Sequence, residues 1–179
     1  APFGKEPARC LHEMLALCEK LGFPTENMDD RVGWCEYGEG EEMVAVLGHL
    51  DVVPAGDGWT ESEPFSGEIK NGRIYGRGTM DDKGPMVAAI YALAALKDAG
   101  FAPSKRIRLL FGTNEETGCG DMAWYASHGG EMPVMGFTPD GEYPLINGEK
   151  GILNGTYTRT LHQTGDYILT RFEGGEASN

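Results

Sequence analysis

The chain lacks any apolar run that approaches the ~20 residues needed for a membrane-spanning helix. It has no basic segment followed by an apolar one, which is the pattern of a secretory signal. An initiator methionine is also missing, because the chain opens with Ala1 and Pro2. These absences predict a cytoplasmic protein with no membrane partner, and we expect the sequence to be part of a longer one.

Positive charge is scarce, with 15 Lys and Arg against 28 Asp and Glu and a net charge of −13. No Lys/Arg cluster stands out, so the sequence predicts no nucleic-acid partner. The excess of carboxylates is compatible with binding divalent cations. The four cysteines include no CxxC pair, so free thiols in a reducing cytoplasm are expected.

Internal repeats, low-complexity segments and a clear interior linker are absent too. The length of 179 residues is sufficient for one domain with a sizeable core. We assign residues 1–173 to one domain, and residues 174–179, which begin at Gly174-Gly175, to the start of a connection.

Apolar spacing predicts strands that alternate with helices, which indicates an α/β fold with a mixed, largely parallel sheet flanked by helices. The predicted helices cover residues 6–21, 85–99 and 120–127. A hairpin with an Asn71-Gly72 turn is predicted over residues 66–75. The predicted strands cover residues 31–37, 43–47, 107–111, 134–137, 152–157 and 167–172.

Acidic residues or a histidine stand at four of these element boundaries. Taken alone, each cluster has an ordinary explanation as a hydrogen-bonded strand end, a helix N-cap, a solvated loop or a turn. These explanations do not account for the order of the clusters along one chain. Ligands of open α/β sheets bind beyond the carboxyl ends of the strands, and three of the clusters would converge there. One imidazole with several carboxylates suits Zn²⁺, Mn²⁺ or Co²⁺. The clusters are His49-Leu50-Asp51, Asp81-Asp82, Glu115-Glu116 and Asp140-Gly141-Glu142.

The same segments carry a family resemblance. GHLDVVPAGDGW, YGRGTMDDKGP, GTNEETGCGD and TPDGEYPLINGEKG resemble the signature blocks of the M20 family of dinuclear zinc peptidases. The resemblance is nearest to its dipeptidase branch, the bacterial β-Ala-Xaa dipeptidases and carnosinases, and it runs through nearly the whole chain. It implies a zinc-exopeptidase-like catalytic domain that is truncated before the lid domain.

The resemblance also implies a set of metal ligands for two Zn²⁺ ions, with Mn²⁺ or Co²⁺ as alternatives. His49 and Asp140 match ligands of the first ion, and Glu116 matches a ligand of the second. Asp81 matches the carboxylate that bridges both ions, and its bond to Asp82 matches the family's cis peptide. No organic cofactor is expected.

Two further residues match catalytic roles of the family. Asp51 corresponds to the carboxylate that orients His49, and Glu115 to the general base. The implied reaction is hydrolysis of a dipeptide amide bond by a water that bridges the two metals. The expected partner is therefore a small peptide substrate, and the sequence does not fix the oligomeric state.

The family pattern includes a last histidine ligand for the second metal and a lid with substrate-binding groups. His12, His128 and His162 match none of these positions, so the second metal would have only Asp81 and Glu116. We therefore expect the 179-residue chain alone to hydrolyse dipeptides very poorly or not at all.

Two alternatives remain open. The family's N-acyl amino acid deacylases and desuccinylases share the metal core, and a non-catalytic metal-binding domain could keep the fold without turnover. Glu115 argues against the second, because a binding site needs no general base. Cys119 is not predicted to be a nucleophile, because no histidine pairs with it in the local sequence.

Overall fold

The structure is a computed structural model that describes residues 2–142, 144–148, 151, 153, 155, 156, 158, 159 and 165. Its contacts divide the chain into two units, residues 1–144 and 145–179. All the helices and strands named below lie in the first unit. No helix in the described ranges is long and apolar enough to cross a membrane.

The first unit contains three helices and seven strands within the described residues. The helices are α1 (Lys5–Lys20), α2 (Lys83–Asp98) and α3 (Gly120–Ser127). The strands are β1 (Thr25–Met28), β2 (Val32–Tyr37), β3 (Met43–His49), β4 (Glu68–Lys70), β5 (Arg73–Tyr75), β6 (Arg106–Gly112) and β7 (Met135–Phe137).

Five of the strands form one sheet in the order β1-β2-β6-β3-β7. Strand β3 runs parallel to both β6 and β7, whereas β2 is antiparallel to β6 and to β1. The remaining two strands, β4 and β5, form a separate hairpin. The predicted α/β fold with a mixed sheet flanked by helices is confirmed, and its parallel part is β6-β3-β7.

Apolar side chains cover both faces of the sheet. Val46, Leu109 and Phe111 belong to the cluster that α1 and α2 bury. The alternating positions Ala45 and Leu110 pack with Tyr125 of α3 in a second cluster. Strands β3 and β6 are therefore buried on both faces, which explains why their sequences are nearly continuous apolar runs.

The predicted helices and the hairpin agree with the structure to within about two residues, the usual uncertainty of element ends. Strand β1 was not predicted, because its four residues TENM are half exposed and show no alternation of apolar side chains. Residues 167–172 and half of residues 152–157 lie outside the described residues. Residues 153, 155 and 156 are described, and they are not in a strand. The domain boundary at residue 174 also lies outside the described residues and stays a prediction.

Candidate active site

Five side chains from four segments converge beyond the carboxyl ends of the parallel strands. The cause is topological, because β3, β6 and β7 run in the same direction and end at one edge of the sheet. The segment before α2 reaches the same edge. The five residues are His49, Asp81, Glu115, Glu116 and Asp140.

His49 stands at the centre of this group. Its Nε2 lies 2.9 Å from Asp81 Oδ1, 3.4 Å from Asp140 Oδ2 and 4.0 Å from Glu115 Oε2. The possible ligand atoms form two sets, and within each set all atoms lie within 4.8 Å of one another. The first set comes from His49, Glu115 and Asp140, and the second from His49, Asp81 and Glu116. Both sets include His49, so one histidine serves the whole cluster.

The distance from His49 to Asp140 fits a shared metal ion, and the distance from His49 to Asp81 fits a direct hydrogen bond. Two ligands bound to Zn²⁺ at ~2.0–2.1 Å with tetrahedral angles lie about 3.3–3.4 Å apart. The distance from His49 to Asp140 has this value, at 3.4 Å. The 2.9 Å from His49 to Asp81 is instead a direct hydrogen-bond distance. The donor set, one imidazole with hard carboxylate oxygens, is suited to Zn²⁺, Mn²⁺ or Co²⁺.

The electrostatics around His49 favour a positive charge. Burial of the ring lowers its pKa, but the hydrogen bond and the charge of Asp51, followed by the charges of Asp140 and Asp81, raise the pKa to about 10. The carboxylates around His49 create a field that would attract a divalent ion.

Asp51 connects the histidine to the glutamate loop. Its Oδ1 accepts the N–H of Glu115 at 3.0 Å, and its Oδ2 accepts the N–H of Glu116 at 3.1 Å. The Nδ1 of His49 lies 3.0 Å from the main-chain oxygen of Asp51 and 3.4 Å from its carboxylate. Burial raises the pKa of Asp51, but the hydrogen bonds from His49 and the two N–H groups lower it below its usual value.

Glu115 and Glu116 point toward the cluster from the loop between β6 and α3. Burial raises the pKa of Glu115, and the charges of Asp140 and Glu116 raise it further, against the opposing charge of His49. Burial and then the charge of Asp81 raise the pKa of Glu116. A carboxylate with a raised pKa is a better proton acceptor, which suits a general base.

Asp82 is buried within the site. The sequence predicted no role for it beyond a cis peptide bond with Asp81. That bond is cis, as the resemblance implied. The Asp82 side chain has no exposed surface, and its Oδ2 accepts the His49 N–H at 3.3 Å. Burial and then the charge of Asp140 raise its pKa to about 7. The only signal in the sequence was its position beside Asp81.

Gly48 makes room for this carboxylate. A Cβ at position 48 would lie 2.2 Å from Asp82 Oδ2 and 2.3 Å from the sulfur of Met86. The glycine before His49 therefore lets α2 approach the end of β3. This contact joins the segment with Asp81 to the strand with His49.

The two other described histidines lie outside the cluster. His12 is exposed and lies 2.7 Å from Asp30 on the surface. His128 stacks on Trp124 at the end of α3. His162 lies outside the described residues.

The cysteines give no sign of a nucleophile. All four are free thiols, as predicted. Cys119 is exposed, and burial of its thiol and the charge of Glu115 raise its pKa. A raised pKa reduces the thiolate fraction, which argues against a catalytic thiol.

One cleft in the described part of the chain lies away from this cluster. It has a volume of about 570 Å³ and is lined by Phe23, Tyr37 and Lys97, among others, and by none of the five clustered residues. The cluster is the stronger candidate for a functional site, because it brings five titratable groups within ligand distance of one another, in two sets that share His49.

Comparison with known proteins identifies the family. The model of peptidase family M20/M25/M40 matches residues 45–176. The chain belongs to this family. The matched region includes all five clustered residues and Asp51.

Two relatives are named as dipeptidases. The chain is 52% identical over 153 residues to the Bacillus subtilis protein named "Putative dipeptidase YtjP", which covers 86% of this chain and 33% of that protein. It is 44% identical over 180 residues to the beta-Ala-Xaa dipeptidase of Lactobacillus delbrueckii subsp. lactis, covering 99% of this chain and 38% of that protein. The chain thus spans 33% and 38% of the length of these two relatives.

Among solved structures, human carnosine dipeptidase 1 is similar to this chain with a TM-score of 0.64 and 24% identity. The similarity covers 76% of this chain and 33% of the human one. At this identity the match supports the fold, which agrees with the mixed sheet described above.

Proposed function

We propose that this chain provides the metal-binding and proton-transfer part of a metallo-dipeptidase active site. The observation that carries the proposal is the convergence of one buried imidazole and four carboxylates at the carboxyl ends of parallel strands. Membership of a peptidase family agrees with it.

Four residues would hold two divalent ions in this proposal. His49 and Asp140 would bind the first, Glu116 the second, and Asp81 would bridge both. The chemistry that divalent ions supply in such sites is Lewis acidity toward the amide carbonyl and a lowered pKa of water. Zn²⁺ is the proposed ion, and the same donors also suit Mn²⁺ and Co²⁺.

Glu115 would act as the general base. Its carboxylate would take the proton of the attacking water at Oε2, the oxygen that lies 4.0 Å from His49 Nε2, and then return it to the leaving amine. Asp51 would orient His49 and hold the main chain at Glu115 and Glu116, through the contacts of 3.0–3.4 Å described above.

We propose that the substrate is a dipeptide, with a β-alanyl dipeptide as the first choice because one relative is named as a beta-Ala-Xaa dipeptidase. The family's N-acyl amino acid deacylases are the competing possibility. A panel of β-alanyl dipeptides and N-acyl amino acids would separate them, assayed on a protein of the relatives' length that contains this chain. Preferred turnover of the N-acyl compounds would overturn the dipeptidase assignment.

The chain assayed alone should turn over dipeptides very poorly. With His49 assigned to the first ion, only Asp81 and Glu116 remain among the described residues for the second. A site with two protein ligands should bind its ion weakly. Robust hydrolysis of β-Ala-His by the purified 179-residue chain would refute this expectation.

The roles are tested with paired variants. Zn²⁺ binding to the chain is measured by calorimetry, and turnover is measured in the longer protein. Glu116→Gln should weaken metal binding, whereas Glu115→Gln should retain the metal and lose activity. Glu13→Gln, which removes an exposed carboxylate on α1, serves as the control and should change neither. Loss of metal in Glu115→Gln would instead indicate a ligand role.

A further inference from the structure

A buried carboxylate outside the proposed site holds the loop that carries Glu115 and Glu116. Asp121 lies in the first turn of α3 and is only 1% exposed. Its Oδ2 accepts the N–H of Asn114 at 2.8 Å, and its Oδ1 accepts the N–H of Met122 at 2.7 Å. No lysine or arginine in the described ranges forms an ion pair with it. Its charge is therefore stabilised by main-chain N–H donors, which make strong hydrogen bonds to a carboxylate.

The end of strand β6 is shaped to admit this carboxylate. A Cβ at Gly112 would lie 2.4 Å from Asp121 Oδ2. Gly112 is also the β6 residue paired with His49 of β3, and its carbonyl accepts the N–H of Leu50 at 2.9 Å. Asp121 thus contacts the loop with the glutamates and the strand position beside the histidine.

Two aspartates together bind three successive main-chain donors of this loop. The N–H of Asn114 goes to Asp121, and the N–H groups of Glu115 and Glu116 go to Asp51. The Asn114 side chain closes the other end of the loop by accepting the N–H of Gly120 at 3.2 Å. With these donors bound to buried carboxylates, the main chain that carries the two glutamates is held in place.

We infer that Asp121 is a positioning residue, which acts through the main chain of the Glu115–Glu116 loop. Its two hydrogen bonds go to the main chain at Asn114 and Met122, and through that main chain it holds the loop that carries the two carboxylates. A displacement of ~1 Å at such groups is enough to reduce a rate about 10²-fold. The inference rests on the proposed function for the roles of Glu115 and Glu116, but the contacts of Asp121 do not depend on it.

The test compares Asp121→Asn and Asp121→Ala with Leu11→Ala. Asparagine keeps one acceptor oxygen and turns an NH₂ donor toward one of the two N–H groups, while alanine removes both acceptors. Leu11 is fully buried in the α1 cluster, so Leu11→Ala destabilises the fold away from the loop. The probes are amide hydrogen exchange of residues 112–120 and binding of Zn²⁺ alone to the 179-residue chain.

We expect exchange at Asn114 to accelerate in the order wild type, Asp121→Asn, Asp121→Ala, by at least ~10-fold at each step. Zn²⁺ binding should weaken in the same order. Leu11→Ala, which lowers the global stability, should accelerate exchange at Asn114 no more than at the other protected amides, and it should leave Zn²⁺ binding at its wild-type value under conditions where every variant is folded. If Asp121 had a purely structural role, its variants would instead lower the global stability and accelerate exchange at all protected amides together. If Asp121→Ala fails to fold, Asp121→Ser replaces it.

Wild-type exchange at Asn114 in both Asp121 variants would overturn the inference. Faster exchange with unchanged Zn²⁺ binding would also overturn it, because the loop would then not set the ligands. If the wild-type chain binds no Zn²⁺, or Asp140→Asn binds it as well as wild type does, the proposed function fails. The exchange measurement would in that case still decide whether Asp121 holds the loop.

Discussion

Replacing Gly48 by alanine should destabilise the fold and weaken the candidate metal site together. The new Cβ would lie 2.2 Å from Asp82 Oδ2 and 2.3 Å from the sulfur of Met86. To restore contacts of 3.4 Å, α2 would have to move from β3 by roughly 1 Å in a core packed at crystal density. Overpacking of this kind costs about 1–3 kcal/mol. We expect the upper half of that range, because Asp82 is fully buried and cannot turn toward solvent.

The assay is urea denaturation followed by circular dichroism. With a slope of ~2 kcal/mol per molar urea, a loss of about 2 kcal/mol moves the midpoint by about 1 M. Gly148→Ala is the control, because a Cβ there meets nothing within 4 Å. The same displacement should weaken Zn²⁺ binding, since Asp82 bonds the His49 N–H. A midpoint equal to that of the control would refute the packing argument, and unchanged Zn²⁺ binding in a destabilised variant would refute the connection to the site.

Three further predictions concern the rest of the fold. Leu11→Ala should cost about 2–5 kcal/mol, because this fully buried side chain leaves a cavity; thermal unfolding measures it. The Arg31 guanidinium lies over two aromatic rings, 4.9 and 5.2 Å from their centroids. Arg31→Lys keeps the charge but loses the planar group that stacks on the rings, so it should lower the free energy of unfolding by roughly 0.5–2 kcal/mol. The hydrogen bond from Arg106 lowers the pKa of Glu131 against the effect of burial. The stabilisation that ionised Glu131 provides is therefore complete above pH 4.5, the ordinary pKa of a glutamate, and it is lost as the pH falls through the lower pKa that Glu131 has in the folded state. Melting curves of Glu131→Gln should show a deficit at pH 7 that closes toward pH 3; a constant deficit would contradict the assignment.

Much of the secondary structure was predictable because it is encoded locally. The apolar runs of β3 and β6, the helical spacing of α1 and the Asn71-Gly72 turn each have a local physical cause. Strand β1 was missed because nothing in TENM distinguishes a strand from a loop. It forms because β2 offers it a free edge for pairing.

The five clustered residues were also predictable, because each stands at an element boundary and matches a family motif. The bonds between them were only partly predictable. Asp51 was expected to orient His49, but its carboxylate oxygens also hold the N–H groups of Glu115 and Glu116. These contacts join residues more than 60 positions apart, and no local pattern records them.

The sequence by itself determined most of the strands and helices, the residue types at their boundaries and the family. The tertiary structure alone decided which buried carboxylates support the site. Nothing in the sequence marks the side chains of Asp82 and Asp121 as buried, yet both residues are at most 1% exposed. Their burial is possible only because Gly48 and Gly112 leave space across neighbouring elements. Such space depends on how α2 and α3 pack on the sheet, so it exists only once the chain has folded.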